Sequence, residues 1–324
     1  MGAPLLLRAK SGARVGLGHA MRTLAVAEAV RELGGEARLV LDDEASAGEL
    51  RSCGFEAVSA TAEPDWYRAS AAGAWLDGFV DWTAELRALA RRGTPTFLVE
   101  NRTPAREWCA RLVYPSLHHQ PDAWDRVHEA RVLAGPAWIP LARAVRASAP
   151  ALERDVDLLI TFGGSDPLRS TERALAALPA RVAAVVAVGP HMAARRAAIE
   201  ALAAPRGARV LPAGTPLAPW MARARTALTA LGTTLYELAY LNTPALILAN
   251  YEGDRDALEV YRARGPHRPL GLAGELDDAA LARALAEGVA ALRTAERPRV
   301  PELGTGAERL ARALLEGALQ RAAA

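Results

Sequence analysis

Short apolar runs alternate with Ala/Leu/Arg stretches of helical period along the whole chain, and this alternation constrains the fold more than any other feature of the sequence. Parallel strands covered by helices on both faces read as continuous apolar runs, whereas half-exposed strands alternate. The pattern therefore predicts βαβ units. In the first half, strands are expected at residues 4–8, 37–41, 96–100 and 132–134, with helices at 23–33 and 82–91; the stretch 55–75 gives no clear signal. Three prolines between 136 and 150 interrupt the rhythm, which restarts at residues 157–162. Strands are then expected at 183–188, 208–211, 226–229 and 245–248, with helices at 193–203, 233–240, 254–264 and 277–291. A chain of 324 residues is long enough for two cores. The expected domains are 1–145 and 146–324, with the last helical stretch, 306–322, packing back on the first domain.

Composition narrows the function classes. Apolar residues make up 51% and charged residues 23%, which excludes a disordered chain. Lys and Arg number 39 against 37 Asp and Glu, so no basic surface for nucleic acid is expected. The two cysteines, Cys53 and Cys109, have no metal-ligand spacing and do not suggest a disulfide framework. The apolar stretch at residues 5–7 is too short for a signal or a membrane span, and a cytoplasmic location is expected.

Three turns carry the functional signal. The first, Gly16-Leu17-Gly18-His19-Ala20-Met21-Arg22, follows the first strand and opens the first long helix. Glycines before a helix let backbone N–H groups approach an anion while the helix dipole favours negative charge. His19 then lies at the carboxyl edge of the sheet, where open α/β folds bind ligands, and can exchange a proton near neutral pH. Read alone, the same residues also make a tight turn that His19 merely caps. The second turn, Gly163-Gly164-Ser165-Asp166-Pro167, again joins strand to helix, so each half is expected to present a helix N-terminus to a shared cleft that suits a diphosphate. As an isolated segment it is an ordinary turn. The third, Gly232-Thr233-Thr234, offers hydroxyls for phosphate, and Glu237 one helical turn on can accept both ribose hydroxyls of a nucleotide or serve as a solvated helix carboxylate.

Taken in order, these motifs resemble the family of the UDP-sugar hydrolase of pseudaminic acid biosynthesis and its SpsG-like spore-coat polysaccharide relatives, which are related to MurG-type glycosyltransferases. The matching elements are GxGHxMR near the N-terminus, the GGSDP turn, and Gly-Thr-Thr-x-x-Glu before a Pro-containing strand; Gly135-Pro136 with Trp138 is similar to a Gly-Pro-x-Tyr segment of the family. The resemblance implies a GT-B-like α/β fold, two Rossmann-like domains with parallel sheets facing a central cleft. It implies His19 as the catalytic residue, and Gly16, Gly18, Gly163, Gly164, Ser165, Gly232, Thr233, Thr234 and Glu237 as the nucleotide and diphosphate site. Arg22, Asp77 and Asn250 are implied to line the sugar. No metal and no cofactor is implied. The expected partner is a UDP-linked amino- or deoxy-sugar of surface-glycan or nonulosonic acid biosynthesis. Hydrolysis is the leading expectation; transfer to an acceptor by a GT-B glycosyltransferase and non-catalytic nucleotide-sugar binding are the alternatives.

Four segments depart from the family pattern. Arg8-Ala9-Lys10 carries a cation where Arg-x-Asp has a carboxylate, Asp77-Gly78-Phe79 lacks the phenol of Asp-x-Tyr, Glu100-Asn101 replaces Asp-Asp, and Tyr251 replaces a glutamine after Asn250. These changes bear on the sugar and on catalysis more than on the fold. His118-His119 has no third ligand at helical spacing, and Asp42-Asp43-Glu44 follows a first turn that lacks the third glycine of a dinucleotide fingerprint.

Overall fold

A computed structural model describes residues 3–12, 15, 17–151, 153–264, 266–293 and 296–323. The chain divides into two units, one running from the N-terminus to Arg143 and taking in Glu302 onward, the other spanning Ala144–Pro301. A one-turn helix, α5 (Arg143–Arg146), straddles the boundary.

The first unit contains β1 (Leu5–Ala9), α1 (Gly18–Glu32), β2 (Ala37–Leu41), α2 (Glu44–Ser52), β3 (Glu56–Ser59), β4 (Ala74–Asp77), α3 (Thr83–Arg91), β5 (Thr96–Val99), β6 (Arg111–Tyr114), α4 (Ala123–Val127), β7 (Val132–Ala134) and, from the far end of the chain, α12 (Gly306–Ala323). Its seven strands are ordered β3-β2-β1-β4-β5-β6-β7, and each neighbouring pair is parallel. The chain reverses its direction of progress across the sheet between β1 and β4, which opens a crevice at the carboxyl ends of those two strands.

Strand β1 shows why the apolar runs are continuous. Leu5, Leu7 and Ala9 join one buried cluster with Val26, Val30, Leu310 and Leu314, while Leu6 joins the opposite one with Leu76, Trp82 and Leu86. Both faces of the sheet are covered, so every position of the strand is buried. Helix α12 closes the α1 side, and a Cβ at Gly306 would lie 2.2 Å from the Ile139 carbonyl oxygen, so only glycine lets α12 start there. Arg8 is buried among the apolar residues, its guanidinium facing Trp66 and Trp82 and paired with Asp42.

The second unit holds β8 (Val156–Thr161), α6 (Ser170–Ala176), β9 (Ala184–Ala187), α7 (Arg196–Ala203), β10 (Arg209–Val210), α8 (Ala218–Arg223), β11 (Ala224–Thr229), α9 (Thr233–Tyr240), β12 (Ala245–Ala249), α10 (Arg255–Arg264), β13 (Arg268–Leu272) and α11 (Asp278–Arg293). Its six strands follow the order β10-β9-β8-β11-β12-β13, again all parallel. The switch point here lies between β8 and β11. Two parallel-sheet α/β domains are thus present, as the alternation predicts. Four strands were not anticipated: β3, β4, β6 and β13. The first three span four residues each, and Glu56, Asp77 and Arg111 blur their apolar character, while β13 is interrupted by Pro269 and Gly271.

Candidate functional site

In the first unit, the switch point brings together residues that are far apart in sequence. His19 stands in the first turn of α1, which follows β1, and Asp77 is the last residue of β4. Since β1 and β4 are paired neighbours, the two meet: His19 Nδ1 lies 2.7 Å from Asp77 Oδ1. A carboxylate only accepts, so Nδ1 carries the proton, and in the neutral ring Nε2 carries the lone pair. Helix α1 is held in this register by Thr23, whose buried hydroxyl accepts from Trp75 Nε1 of β4 at 3.0 Å.

Arg22, one turn further along α1, completes the arrangement. Its Nε donates to Asp77 Oδ2 at 2.5 Å and its Nη2 to Oδ1 at 2.7 Å, a bidentate pair; Nη1 donates to Glu100 Oε2 at 2.6 Å. Asp77 has no solvent exposure. Burial alone would raise its carboxyl, but Arg22 and His19 outweigh this and hold it below the usual carboxylate range. Glu100 reaches Arg22 from a left-handed backbone conformation, φ 45°, which costs a non-glycine residue about 1 kcal/mol. The next residue, Asn101, is buried and donates to the carbonyls of Gly78 and Val80, pinning the loop that carries Phe79. Phe79 is 71% exposed and rests edge-on against the His19 ring, centroids 4.8 Å apart.

The departures from the family pattern acquire physical content here. Lys10 does not set a free cation beside His19: its Nζ pairs with Asp42 at 2.9 Å, and Asp42 is shared with Arg8 and the Ser11 N–H. Asp42-Asp43, set aside as a ribose site, is occupied by this network and by the cap of α2. Of the expected anion ligands, Gly16 lies outside the described residues. Gly18 opens α1, whose N-terminus has no side-chain cap and no acidic residue in its first turn. Arg22 and Asp77, expected to line a sugar, are buried and bound to each other; sequence reading missed Glu100 as their third member.

In the second unit, the glycine turn after β8 differs from expectation. Asp166, buried and at φ 45°, accepts from the N–H groups of Ser170 (2.8 Å) and Thr171 (2.9 Å), so a carboxylate already occupies the N-terminus of α6. The turn's carbonyls are also used: Arg195 donates to those of Ser165 and Asp166, and the His191 N–H donates to that of Gly164. Gly189 packs so closely on the turn that a Cβ there would sit 2.2 Å from the Gly163 oxygen. Gly163, Gly164 and Ser165 thus form a braced turn rather than a helix N-terminus open to a diphosphate.

Helix α9 has an open N-terminus. Gly232 caps it without any side-chain bond, leaving the backbone donors of the first turn without a side-chain acceptor. Both ends of α9 are anchored. At its start, the Ala245 N–H donates to His267 Nδ1 (3.2 Å) and His267 Nε2–H donates to the Leu235 carbonyl (2.8 Å); burial pushes that imidazole down to about 4, so it stays neutral. Past its last turn, Arg154 donates to the carbonyls of Leu241 (2.9 Å) and Asn242 (3.2 Å), a cation at the negative end of the helix dipole.

On this fixed helix Glu237 is half-buried and, among the described residues, its carboxyl has neither a hydrogen-bond nor an ion-pair partner. Burial alone pushes its carboxyl up to about 7. After β12, the Oδ1 of Asn250 is buried without a partner, and burial raises the carboxyl of the nearby Asp254 although the Tyr251 and Asn250 N–H groups oppose the shift. Tyr251 is exposed. The structure therefore brings Gly232, Thr233, Thr234 and Glu237 together in the first turns of one helix. No cluster of metal-ligating side chains occurs among the described residues, and no described helix is long and apolar enough to cross a membrane.

No protein-family model matches the chain, and no curated protein sequence matches it. Solved structures do. MurG of Acinetobacter baumannii is similar with a TM-score of 0.61 at 13% identity, over 97% of this chain and 99% of that one. The UDP-GlcNAc 2-epimerase of Methanocaldococcus jannaschii gives 0.59 at 12%, over 97% and 99%. The spinosyn rhamnosyltransferase SpnG, solved with spinosyn aglycone, gives 0.59 at 17%, over 98% and 99%. At these identities the likeness extends to architecture, and the chain has the two-domain fold of the GT-B glycosyltransferases.

Proposed function

We propose that this protein is an enzyme that cleaves the anomeric carbon–oxygen bond of a nucleoside-diphosphate sugar, a UDP-linked sugar by the resemblance of its motifs. The observation that carries the reading is Glu237, a desolvated carboxylate without a partner, one turn inside an uncapped helix. Two ribose hydroxyls donating to it would supply the hydrogen bonds it lacks. The N–H groups at the start of α9, with the hydroxyls of Thr233 and Thr234, then hold the phosphates, which matches charge to the helix dipole. Asn250 Oδ1, buried without a partner among the described residues, would accept from a sugar hydroxyl or amide N–H.

In the reaction His19 acts as general base through Nε2. A hydroxyl oxygen bonds to the anomeric carbon as the bond to the diphosphate oxygen breaks, the electron pair leaves with UDP, and the hydroxyl proton passes to His19. Backbone N–H groups stabilise the charge that develops on the leaving diphosphate. Asp77 and Arg22 act on His19 rather than on the sugar, because Asp77 is fully buried and both its oxygens are engaged.

The attacking hydroxyl belongs to an acceptor in the reading we favour. Phe79 spreads an exposed phenyl against the His19 ring, and apolar surface beside the proposed base suits an acceptor better than water. Hydrolysis is the second reading; the ordered GxGHxMR, GGSDP and Gly-Thr-Thr-x-x-Glu motifs carry it. The sugar would be an amino- or deoxy-sugar of surface-glycan or nonulosonic acid biosynthesis in either case.

The test is a panel of UDP-linked sugars incubated with the purified protein, with and without a library of hydroxyl acceptors, following UDP release alongside UDP affinity by calorimetry. Release that requires an acceptor supports transfer, and release into water supports hydrolysis. Binding without release under either condition leaves a nucleotide-sugar binding protein. Failure to bind any nucleoside diphosphate would remove the reading.

A further inference from the structure

We infer that Arg22 is a positioning residue that cancels the charge of Asp77, so that Asp77 can orient the His19 ring without holding it as an imidazolium. The inference rests on the reading of His19 as a base. A base must be neutral when the nucleophile arrives, yet a bare buried carboxylate 2.7 Å from Nδ1 stabilises the protonated ring. Here the carboxylate is not bare. Two guanidinium nitrogens bind its two oxygens, and Arg22 Nη2 also stands 3.2 Å from His19 Nδ1. The ring therefore meets a nearly neutral ion pair whose geometry still demands a proton on Nδ1.

Glu100 is part of the same device. It binds the remaining end of Arg22 from the left-handed backbone noted above, and its N–H extends the β5–β6 ladder to the Val113 carbonyl at 2.9 Å. With Asp77 and Glu100 on opposite ends, Arg22 is fixed in the plane that makes the bidentate contact. The charged groups around the ring are Asp77 from the end of β4 and Arg22 from the next turn of α1. Behind Arg22 stands Glu100, which in turn is within electrostatic reach of His118 and His119 from the loop after β6. Lys10 and Arg8 are engaged with Asp42.

The experiment follows the His19 ring by NMR titration in the full-length protein, its signal identified by its loss in His19→Gln. In Arg22→Met, Asp77 loses its cation, and the His19 midpoint rises by about one pH unit or more. The acid limb of the turnover profile moves up with it, while UDP affinity at pH 8 is unchanged. In Asp77→Asn the midpoint falls. In the neutral double variant Arg22→Met/Asp77→Asn it returns to within about half a unit of the native value, and in Glu100→Gln it falls slightly. Arg22→Met leaves a buried carboxylate without its guanidinium and so is the variant most prone to misfold; the double variant and Glu100→Gln carry the test in its place. A midpoint unmoved or lowered in Arg22→Met, unmoved in Glu100→Gln, or displaced in the double variant as far as in Asp77→Asn would overturn the inference. Lack of nucleotide binding by the native protein would instead sink the proposed reaction and leave the titrations to decide this point alone.

Discussion

Replacing Glu237 by glutamine is expected to stabilise the protein, and to do so only where the carboxyl would be ionised. Burial lifts the folded-state value to about 7 from the ordinary 4.5 of a free glutamate. A carboxyl whose folded value is raised is easier to keep protonated in the fold than in the unfolded chain. Below about pH 4.5 both states are protonated and the residue has no net effect. Between 4.5 and 7 the unfolded chain ionises first, and stability falls as pH climbs. Above 7 the full cost is present, about 3 kcal/mol for a displacement of this size. Glutamine has the same shape and no charge, so it removes that cost. At pH 8 the variant is expected to melt above the native protein by about 6–12 °C, taking two to four degrees per kcal/mol for a unit of this size. The two proteins should melt together at pH 4.5. Calorimetry across pH 4.5–8 reads this directly. Saturating UDP should raise the melting temperature of the native protein and fail to do so in the variant. A glutamine variant that is no more stable at pH 8, or equally more stable at every pH, would refute the argument that Glu237 is a desolvated, unpartnered carboxylate.

Three further outcomes are expected. His19→Ala should lower turnover by about 10²–10⁴-fold, the usual contribution of a general base, while calorimetry shows UDP affinity changed by less than about twofold. Thr23→Val leaves the buried Trp75 Nε1 without its acceptor and should destabilise the first unit by about 1–3 kcal/mol in urea unfolding, with turnover reduced because α1 and β4 lose their tie. Leu310→Ala, at a fully buried position where α12 meets α1, should cost about 2–5 kcal/mol and leave UDP affinity intact, since the proposed nucleotide ligands belong to the other unit.

Comparing expectation with structure shows which residues were legible. The strands at 5–9, 37–41 and 245–249 were read from their apolar runs because a strand buried on both faces leaves no polar phase in the sequence. Strand β4 escaped because a four-residue strand ending in aspartate carries almost no periodic signal, although it holds Asp77. His19 and Glu237 could be picked out because glycine turns before helices have a recognisable local grammar. Glu100 and Asn101 stood out only as a departure from the family pattern, and His267 and Arg154 not at all, because their roles come from what they touch across tens of residues. The GGSDP turn shows the converse: its glycines advertised an anion site, and only the fold revealed that Asp166 fills it.

The sequence by itself determined the two-unit parallel α/β architecture and the turns at the carboxyl ends of strands, since hydrophobic period and glycine placement act over short distances. Which side chains share a site was decided by tertiary structure. Strand order makes β1 and β4 neighbours and so brings Asp77 to His19 and Arg22; packing removes water from Glu237 and leaves it without a partner. Charge, solvation and hydrogen-bond partnership depend on distances through space, and no local pattern in a chain encodes them.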